Sequence, residues 1–267
     1  MSATNGTLSI EGLVIARGGR DVVTEVSIEV TSGEVTALLG PNGAGKSSMV
    51  LALGGILPIR AGTVRLDGQV LSGRRPEQIR RAGLAIVPEG RRLLAELTVE
   101  ENLRVATYSL SSSQARAGRS RALELFPELE KRLSSSARSL SGGEQQMVVL
   151  AQALVSEPRF ILIDELSLGL APVIISRLIP VLRTIAESGV GILLIEQFAP
   201  IALGLSNRAY VMEGGRIQYA GQAKELQENP ELLHSAYLLH GSGAASATAP
   251  SAEPRSTADD ARVTSGE

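Results

Sequence analysis

The apolar run Val35-Thr36-Ala37-Leu38-Leu39 leads directly into Gly40-Pro41-Asn42-Gly43-Ala44-Gly45-Lys46-Ser47-Ser48, which fixes the kind of unit this chain must build. A G-x-x-x-x-G-K-S stretch between a strand and a helix is a loop that grips the phosphates of a nucleotide. Its glycines let the backbone close around them, so that successive N–H groups and the positive end of the following helix converge on negative charge. Val35 to Leu39 reads as a buried strand and Ser47 to Leu53 as a helix, the order that this loop needs. Lys46 is one of only three lysines in the chain and is placed to reach the β- and γ-phosphates. Ser47 is placed to ligate Mg²⁺, and Ser48 is the first-turn helix residue behind it. The chain therefore reads as a binder of ATP or GTP.

The remaining pattern places that loop in a larger architecture. Leu8 to Val14 and Val22 to Val30 alternate with the two-residue period of half-exposed strands, and Gly62 to Gly68 reads as a further short strand. From Thr98 to Ser156 the pattern is helical, opening on Thr98-Val99-Glu100-Glu101 with capping-box spacing. Strand and helix candidates then alternate over 160–163, 173–188, 190–195 and 208–212, which predicts a parallel sheet covered by helices. Residues 241–267 are rich in Gly, Ser, Ala, Thr and Pro, and such a segment is expected to form a disordered, low-complexity tail. No internal repeat is evident.

Composition narrows the function classes. With 267 residues, 43% of them apolar, the chain can bury one large core or a core with a subdomain. A net charge of −2 with scattered arginines leaves no electrostatic footprint for nucleic acid or an anionic membrane surface. The absence of cysteine excludes disulfides and is compatible with a reducing compartment. The polar start Met1 to Gly6 does not read as a signal peptide. The most apolar stretch, Val190 to Leu205, is interrupted by Glu196 and Pro200 and falls short of a span. Work at a membrane would then require partner subunits that cross it.

A second element, Phe160-Ile161-Leu162-Ile163-Asp164-Glu165, is an apolar strand ending in two acids. Beside a phosphate loop, Asp164 can hold Mg²⁺ through water while Glu165 points at an attacking water as general base. The third element, Leu140-Ser141-Gly142-Gly143-Glu144-Gln145-Gln146, is most simply a helix N-terminus, with Ser141 and Glu144 at capping-box spacing. It also resembles the signature sequence of ATP-binding cassette (ABC) proteins. In that family the helix N-terminus, with its bare N–H groups, faces the γ-phosphate held by a second subunit, and Ser141, Gly142, Gly143 and Glu144 occupy that place here. All three elements stand in the family's order.

The resemblance covers about Leu8 to Leu239 and sharpens to a subgroup. Val87 to Arg92, Leu97 to Leu103, Ser167 to Pro172 and Leu194 to Gln197 look like the ATPase subunits of branched-chain amino-acid importers, with amide and urea importers closely similar. It implies an α/β fold: a P-loop NTPase, ABC-type nucleotide-binding domain over residues 1–240, with a RecA-like core, an antiparallel β subdomain and an inserted α-helical subdomain at about 95–156. It implies ATP and Mg²⁺ as cofactors and a second ABC ATPase subunit, identical or paralogous, as partner. Transmembrane permeases and, through them, an extracytoplasmic solute-binding protein complete the expected assembly, with the chain peripheral on the cytoplasmic face of the cell membrane. Glu89 takes the place of the usual Mg²⁺-contacting glutamine, and Gln197 the place of the histidine switch, where it can hydrogen-bond the γ-phosphate without titrating near neutral pH. Arg17 stands where an aromatic residue stacks on adenine, leaving a guanidinium face for that contact. Leu166 replaces the proline after the catalytic glutamate and restores backbone freedom and an N–H at that turn. Phe198 replaces an asparagine, and packing under the switch loop is the physical account available for it.

Competing ATPase classes fit less well. Ser47 to Leu140 spans 93 positions, too few for the long coiled coil of a chromosome-organising or DNA-repair ATPase. Each motif occurs once, unlike the paired cassettes of translation-linked proteins. A weakly hydrolysing regulatory subunit is the reading that Arg17 and Leu166 suggest. The solute is not written in this chain, because solute contacts lie in the partners.

Overall fold

The computed structural model describes residues 6–238, so the tail expected over 241–267 lies outside the described residues. β1 (Thr7–Arg17) and β2 (Arg20–Thr31) form a hairpin, β3 (Val35–Leu39) delivers the chain into the phosphate loop, and α1 (Lys46–Leu53) leaves it. β4 (Ala61–Leu66) and the short β5 (Gln69–Val70) complete a four-stranded antiparallel sheet in the order β2-β1-β4-β5. After α2 (Pro76–Arg81) and β6 (Leu84–Val87) come the helices anticipated from Thr98 onward: α3 (Val99–Ala106), α4 (Ser112–Leu125) and α5 (Gly142–Leu154). Thr98 opens α3 with a reciprocal capping box, its Oγ1 accepting from the Glu101 N–H at 3.2 Å while the Glu101 carboxylate accepts from the Thr98 N–H at 2.8 Å. The rest alternates as β7 (Phe160–Asp164), α6 (Pro172–Glu187), β8 (Gly191–Glu196), α7 (Ala199–Leu205), β9 (Arg208–Glu213), β10 (Arg216–Gln222), α8 (Ala223–Glu228) and α9 (Pro230–Leu238).

These later strands join β3 and β6 in a six-stranded sheet ordered β10-β9-β3-β8-β7-β6, parallel except for β10, which returns antiparallel beside β9. Both faces are covered, which is why β3, β7 and β8 read as unbroken apolar runs. Alternate residues serve opposite cores. Ala37, Leu39, Ile161, Ile163, Ile192 and Leu194 pack with the helices from α3 onward. Leu38, Phe160, Leu162, Leu193 and Ile195 pack with α1 and the antiparallel sheet. Among the described residues no helix is long and apolar enough to cross a membrane.

Strand order has a direct consequence for the chemistry. Leu39 pairs with Glu196 and Asp164 with Ile195, so the carboxyl ends of β3, β8 and β7 lie side by side. Ligands of open parallel sheets bind off such ends.

Candidate functional site

The phosphate loop is seated against its neighbours as tightly as its glycines permit. A Cβ at Gly40 would lie 2.3 Å from the Met212 carbonyl oxygen, and one at Gly45, where φ is +106°, 2.4 Å from the Val22 carbonyl oxygen. Pro41, Asn42 and Gly43 reach toward solvent, whereas Ala44 and Ser48 are buried and Ser47 is half-buried. Lys46 begins α1 and is 4% exposed. Its Nζ arches back over the loop to donate to the carbonyl oxygens of Gly40 at 2.7 Å and Pro41 at 3.0 Å. Burial holds the ammonium pKa below its usual value, while Glu165, Asp164, Glu196 and Glu89 push it back up.

Asp164 ends β7 at 4% exposure, and its Oδ1 has no hydrogen-bond partner among the described residues. Burial first, then the charges of Glu165 and Glu89, raise its carboxyl from 3.8 to about 6, with the Ser47 hydroxyl and Lys46 pulling the other way. An orphaned buried carboxylate oxygen beside a serine hydroxyl and an ammonium fits a divalent cation bound together with phosphate. No group of three or more His, Cys, Asp or Glu among the described residues is arranged to hold a metal by itself. A cation here would therefore draw most of its ligands from phosphate and water, as Mg²⁺ commonly does. Glu165 is half-buried in left-handed backbone at φ 50°, and its N–H donates to the Ile195 carbonyl at 2.9 Å. With Asp164 it borders a cleft of about 320 Å³, whose walls include Pro88, Arg91, Gln145 and Gln146.

The other sequence-predicted residues sit around this centre at different depths. Glu89 is exposed beyond the end of β6, close enough to act on both Lys46 and Asp164. Gln197 is exposed immediately after β8, and Arg17 is exposed at the tip of the β1–β2 hairpin. Ser141 caps α5, with its Oγ accepting from the Glu144 N–H at 3.3 Å and its own N–H donating to the Glu144 carboxylate at 2.8 Å. The Ser141 N–H first, then the Ser141 hydroxyl and Arg132, hold the Glu144 carboxyl below its usual pKa against its partial burial. A Cβ at Gly142 would lie 2.9 Å from Arg91 Nη1, and Gly143 is buried against Ile174. One chain thus gathers Lys46, Ser47, Glu89, Asp164 and Glu165, with Gln197 directly following Glu196, whose charge also acts on Lys46, while Arg17 lies on the hairpin and Ser141 to Glu144 at the start of α5. Phe198 does not pack beneath the switch loop: it is 58% exposed at the start of α7.

Two residues that sequence reasoning gave no role belong to the site's framework. Glu196 is 1% exposed and accepts from the Ser167 N–H at 3.0 Å and the Ser167 hydroxyl at 2.8 Å. Its burial raises its pKa, against the two bonds from Ser167. The available signal was the one that singled out Asp164, an acid closing an apolar strand. Arg91, at φ 47°, donates from Nη2 to the carbonyl oxygens of Leu168 at 2.8 Å and Gly169 at 3.0 Å. Nothing in a two-arginine run distinguishes it from its neighbour Arg92.

A family model described as ABC transporter matches residues 23–167. The chain belongs to the ABC transporter family. This ABC ATPase is 40% identical over 231 residues to the high-affinity branched-chain amino acid transport ATP-binding protein BraG of Pseudomonas aeruginosa, a match covering 86% of the chain and 99% of BraG. It is 34% identical over 212 residues to the probable branched-chain amino acid transport ATP-binding protein LivF of Archaeoglobus fulgidus, covering 78% of the chain and 89% of the relative. A solved ATP-binding subunit of an ABC transporter superposes with a TM-score of 0.75 at 32% identity, over 86% of this chain and 98% of that one. The α/β nucleotide-binding fold expected from the phosphate loop is therefore the fold found, and ABC ATPases couple ATP hydrolysis to transport.

Proposed function

We propose that this chain is the ATP-hydrolysing subunit of an importer of branched-chain amino acids, working as a cytoplasmic protein bound to permeases on the inner face of the membrane. The observation that carries the reading is the convergence of Lys46 and Ser47, at the start of α1, with Asp164 and Glu165, at the end of β7 two strands from β3, in a chain similar along most of its length to BraG and LivF. In this reading residues 1–240 are one nucleotide-binding domain with its helical subdomain at about 95–156. Gly40 to Ser48 cradle the phosphates of ATP, Lys46 exchanges its bonds to Gly40 and Pro41 for the β- and γ-phosphates, and Arg17 lies against the adenine. Mg²⁺, held through Ser47 and Asp164 with Glu89 nearby, would supply neutralisation of phosphate charge. Glu165 accepts a proton from water as the water oxygen bonds to the γ-phosphorus. The bond from that phosphorus to the β–γ bridging oxygen breaks, leaving ADP and inorganic phosphate. Gln197 donates to the γ-phosphate and so orients it.

Ser141 to Glu144 complete the centre of a second subunit. Ser141 to Glu144 at the start of α5 present N–H groups to the γ-phosphate of the opposing chain, so that ATP is bound between two cassettes and closure is coupled to its presence. A groove of about 410 Å³ between α1, α2 and the helical segment, bordered by Ile56, Ile79, Val105 and Tyr108, supports permease docking there. Ile56 and Tyr108 are 64% and 68% exposed, apolar surface that a partner would cover. A solute-binding protein contributes only through the permeases, and no nucleic acid takes part. The test is ATP-dependent leucine uptake by vesicles holding the chain with the permeases that co-purify with it in mild detergent. Glu165→Gln should lower turnover about 100- to 10,000-fold, abolish uptake and leave ATP-held dimers. Soluble companions only, or uptake that survives the substitution, would overturn the reading.

A further inference from the structure

Glu165 has an awkward place to stand. It is not glycine, yet its φ is 50°, a left-handed conformation that persists only where the surroundings over-determine it. The following residue gives little help: Leu166 has no ring to fix its own φ, and its side chain is spent filling the core at 0% exposure. The constraint comes instead from the end of β8. Ile195 accepts the Glu165 N–H at 2.9 Å, and Glu196 grips Ser167 twice, through its N–H at 3.0 Å and its hydroxyl at 2.8 Å. Farther along the same loop, Arg91 holds the carbonyls of Leu168 and Gly169.

Glu196 is an expensive way to make two hydrogen bonds. A carboxylate at 1% exposure sits near Glu165, a like charge, and neutral side chains could satisfy a serine at lower cost. Its position explains its use. β8 pairs with β3 on one side and β7 on the other, Leu39 lying opposite Glu196 and Asp164 opposite Ile195. Glu196 therefore lies between the strand that feeds the phosphate loop and the strand that ends in the acids, and it is bonded in sequence to Gln197.

We propose that Glu196 is a positioning residue for hydrolysis, holding the Glu165–Ser167 turn at a fixed offset from Gln197 so that the groups on either side of the γ-phosphate stay in register. It does not touch the nucleotide and transfers no proton. The inference rests on the reading of Glu165 as general base. A binding role would raise KM, whereas misplacing the base should lower kcat alone.

The experiment is steady-state ATP hydrolysis by the full-length chain in its permease complex, with ATP affinity measured in parallel. Glu196→Ala should lower kcat about 10- to 100-fold, the scale of loss when a reacting group is misplaced by about 1 Å, with KM for ATP nearly unchanged. Glu196→Gln should recover kcat to within about threefold of the parent, since its amide oxygen can accept the Ser167 N–H and its amide N–H₂ can donate to the Ser167 oxygen. A Glu196→Ala enzyme with parental kcat, or with raised KM at intact kcat, overturns the proposal, as does a Glu196→Gln enzyme as slow as the alanine variant. If the alanine variant does not fold, Ser167→Ala decides: a kcat about three- to tenfold lower at unchanged KM is expected, and parental kcat refutes it. Glu165→Gln run beside them separates the two levels. Turnover retained in that variant removes the general base, whereas turnover lost there and normal in Glu196→Ala removes only the role of Glu196.

Discussion

Asp164→Asn should make the nucleotide-free protein more stable near neutral pH while disabling it. An acid whose folded pKa lies above its unfolded value binds its proton more tightly in the folded state. Its contribution to stability is therefore greatest below the unfolded pKa of 3.8 and is lost as pH rises through the folded value of about 6. At about 1.4 kcal/mol for each tenfold change in proton affinity, the interval from 3.8 to about 6 amounts to about 3 kcal/mol of destabilisation carried at neutral pH. Asparagine removes the charge but brings an amide into a nearly closed space, and an unmatched donor there returns about 1–2 kcal/mol of that gain. The net expectation is about 1–2 kcal/mol, a rise in Tm of about 2–8 °C for a domain of this size. Thermal unfolding followed by circular dichroism checks it, with Mg²⁺ and nucleotide excluded. The gain should vanish at about pH 4, where most of the parental Asp164 is already protonated when folded, and MgATP should stabilise the parent more than the variant. A variant no more stable than the parent at about pH 7.5, or equally stabilised at about pH 4, refutes the reasoning.

Further outcomes follow from the loop and the hairpin. Gly40→Ala places a methyl group 2.3 Å from the Met212 carbonyl oxygen, so the loop must lift from β9, with a stability cost of about 1–3 kcal/mol. Titration with a fluorescent ATP analogue should show affinity lowered at least about tenfold, and unchanged affinity would mean that the loop's seat does not matter. Arg17→Tyr should tighten ATP binding about two- to tenfold by calorimetry if the exposed hairpin tip lies against adenine, because a ring stacks on the base with less ordering than a guanidinium. No gain would argue against that contact.

The parts of the site that depend on local chemistry were legible in the sequence. Val35 to Leu39, the glycine loop, the Thr98 and Ser141 capping boxes and the acids at the end of β7 are contiguous motifs, each with a physical reason for its spacing. Residues set by pairing at a distance were not. β6 is four residues long and β10 is half-exposed with no clean alternation, so neither announces itself. That β8 lies between β3 and β7, and so brings Glu196 against Ser167, depends on strand order, which periodicity does not carry. Packing under the switch loop, the one account the sequence offers for Phe198, fails because the chain turns the ring outward where β8 gives way to α7.

Helix α5 touches both the cleft beside Glu165 and the apolar groove proposed for docking. Gln145 and Gln146 in its first turns wall the catalytic cleft, while Val149, Gln152 and Ala153 in its later turns wall the apolar groove. Between them Met147, Val148, Leu150 and Ala151 are fixed in the core. At 1.5 Å per residue the two walls are only about 10 Å apart along a single rod. If permeases dock at the groove as proposed, a load applied there would reach the cleft as the tilt of a short, stiff lever, with a stroke limited by how far that core lets the lever pivot.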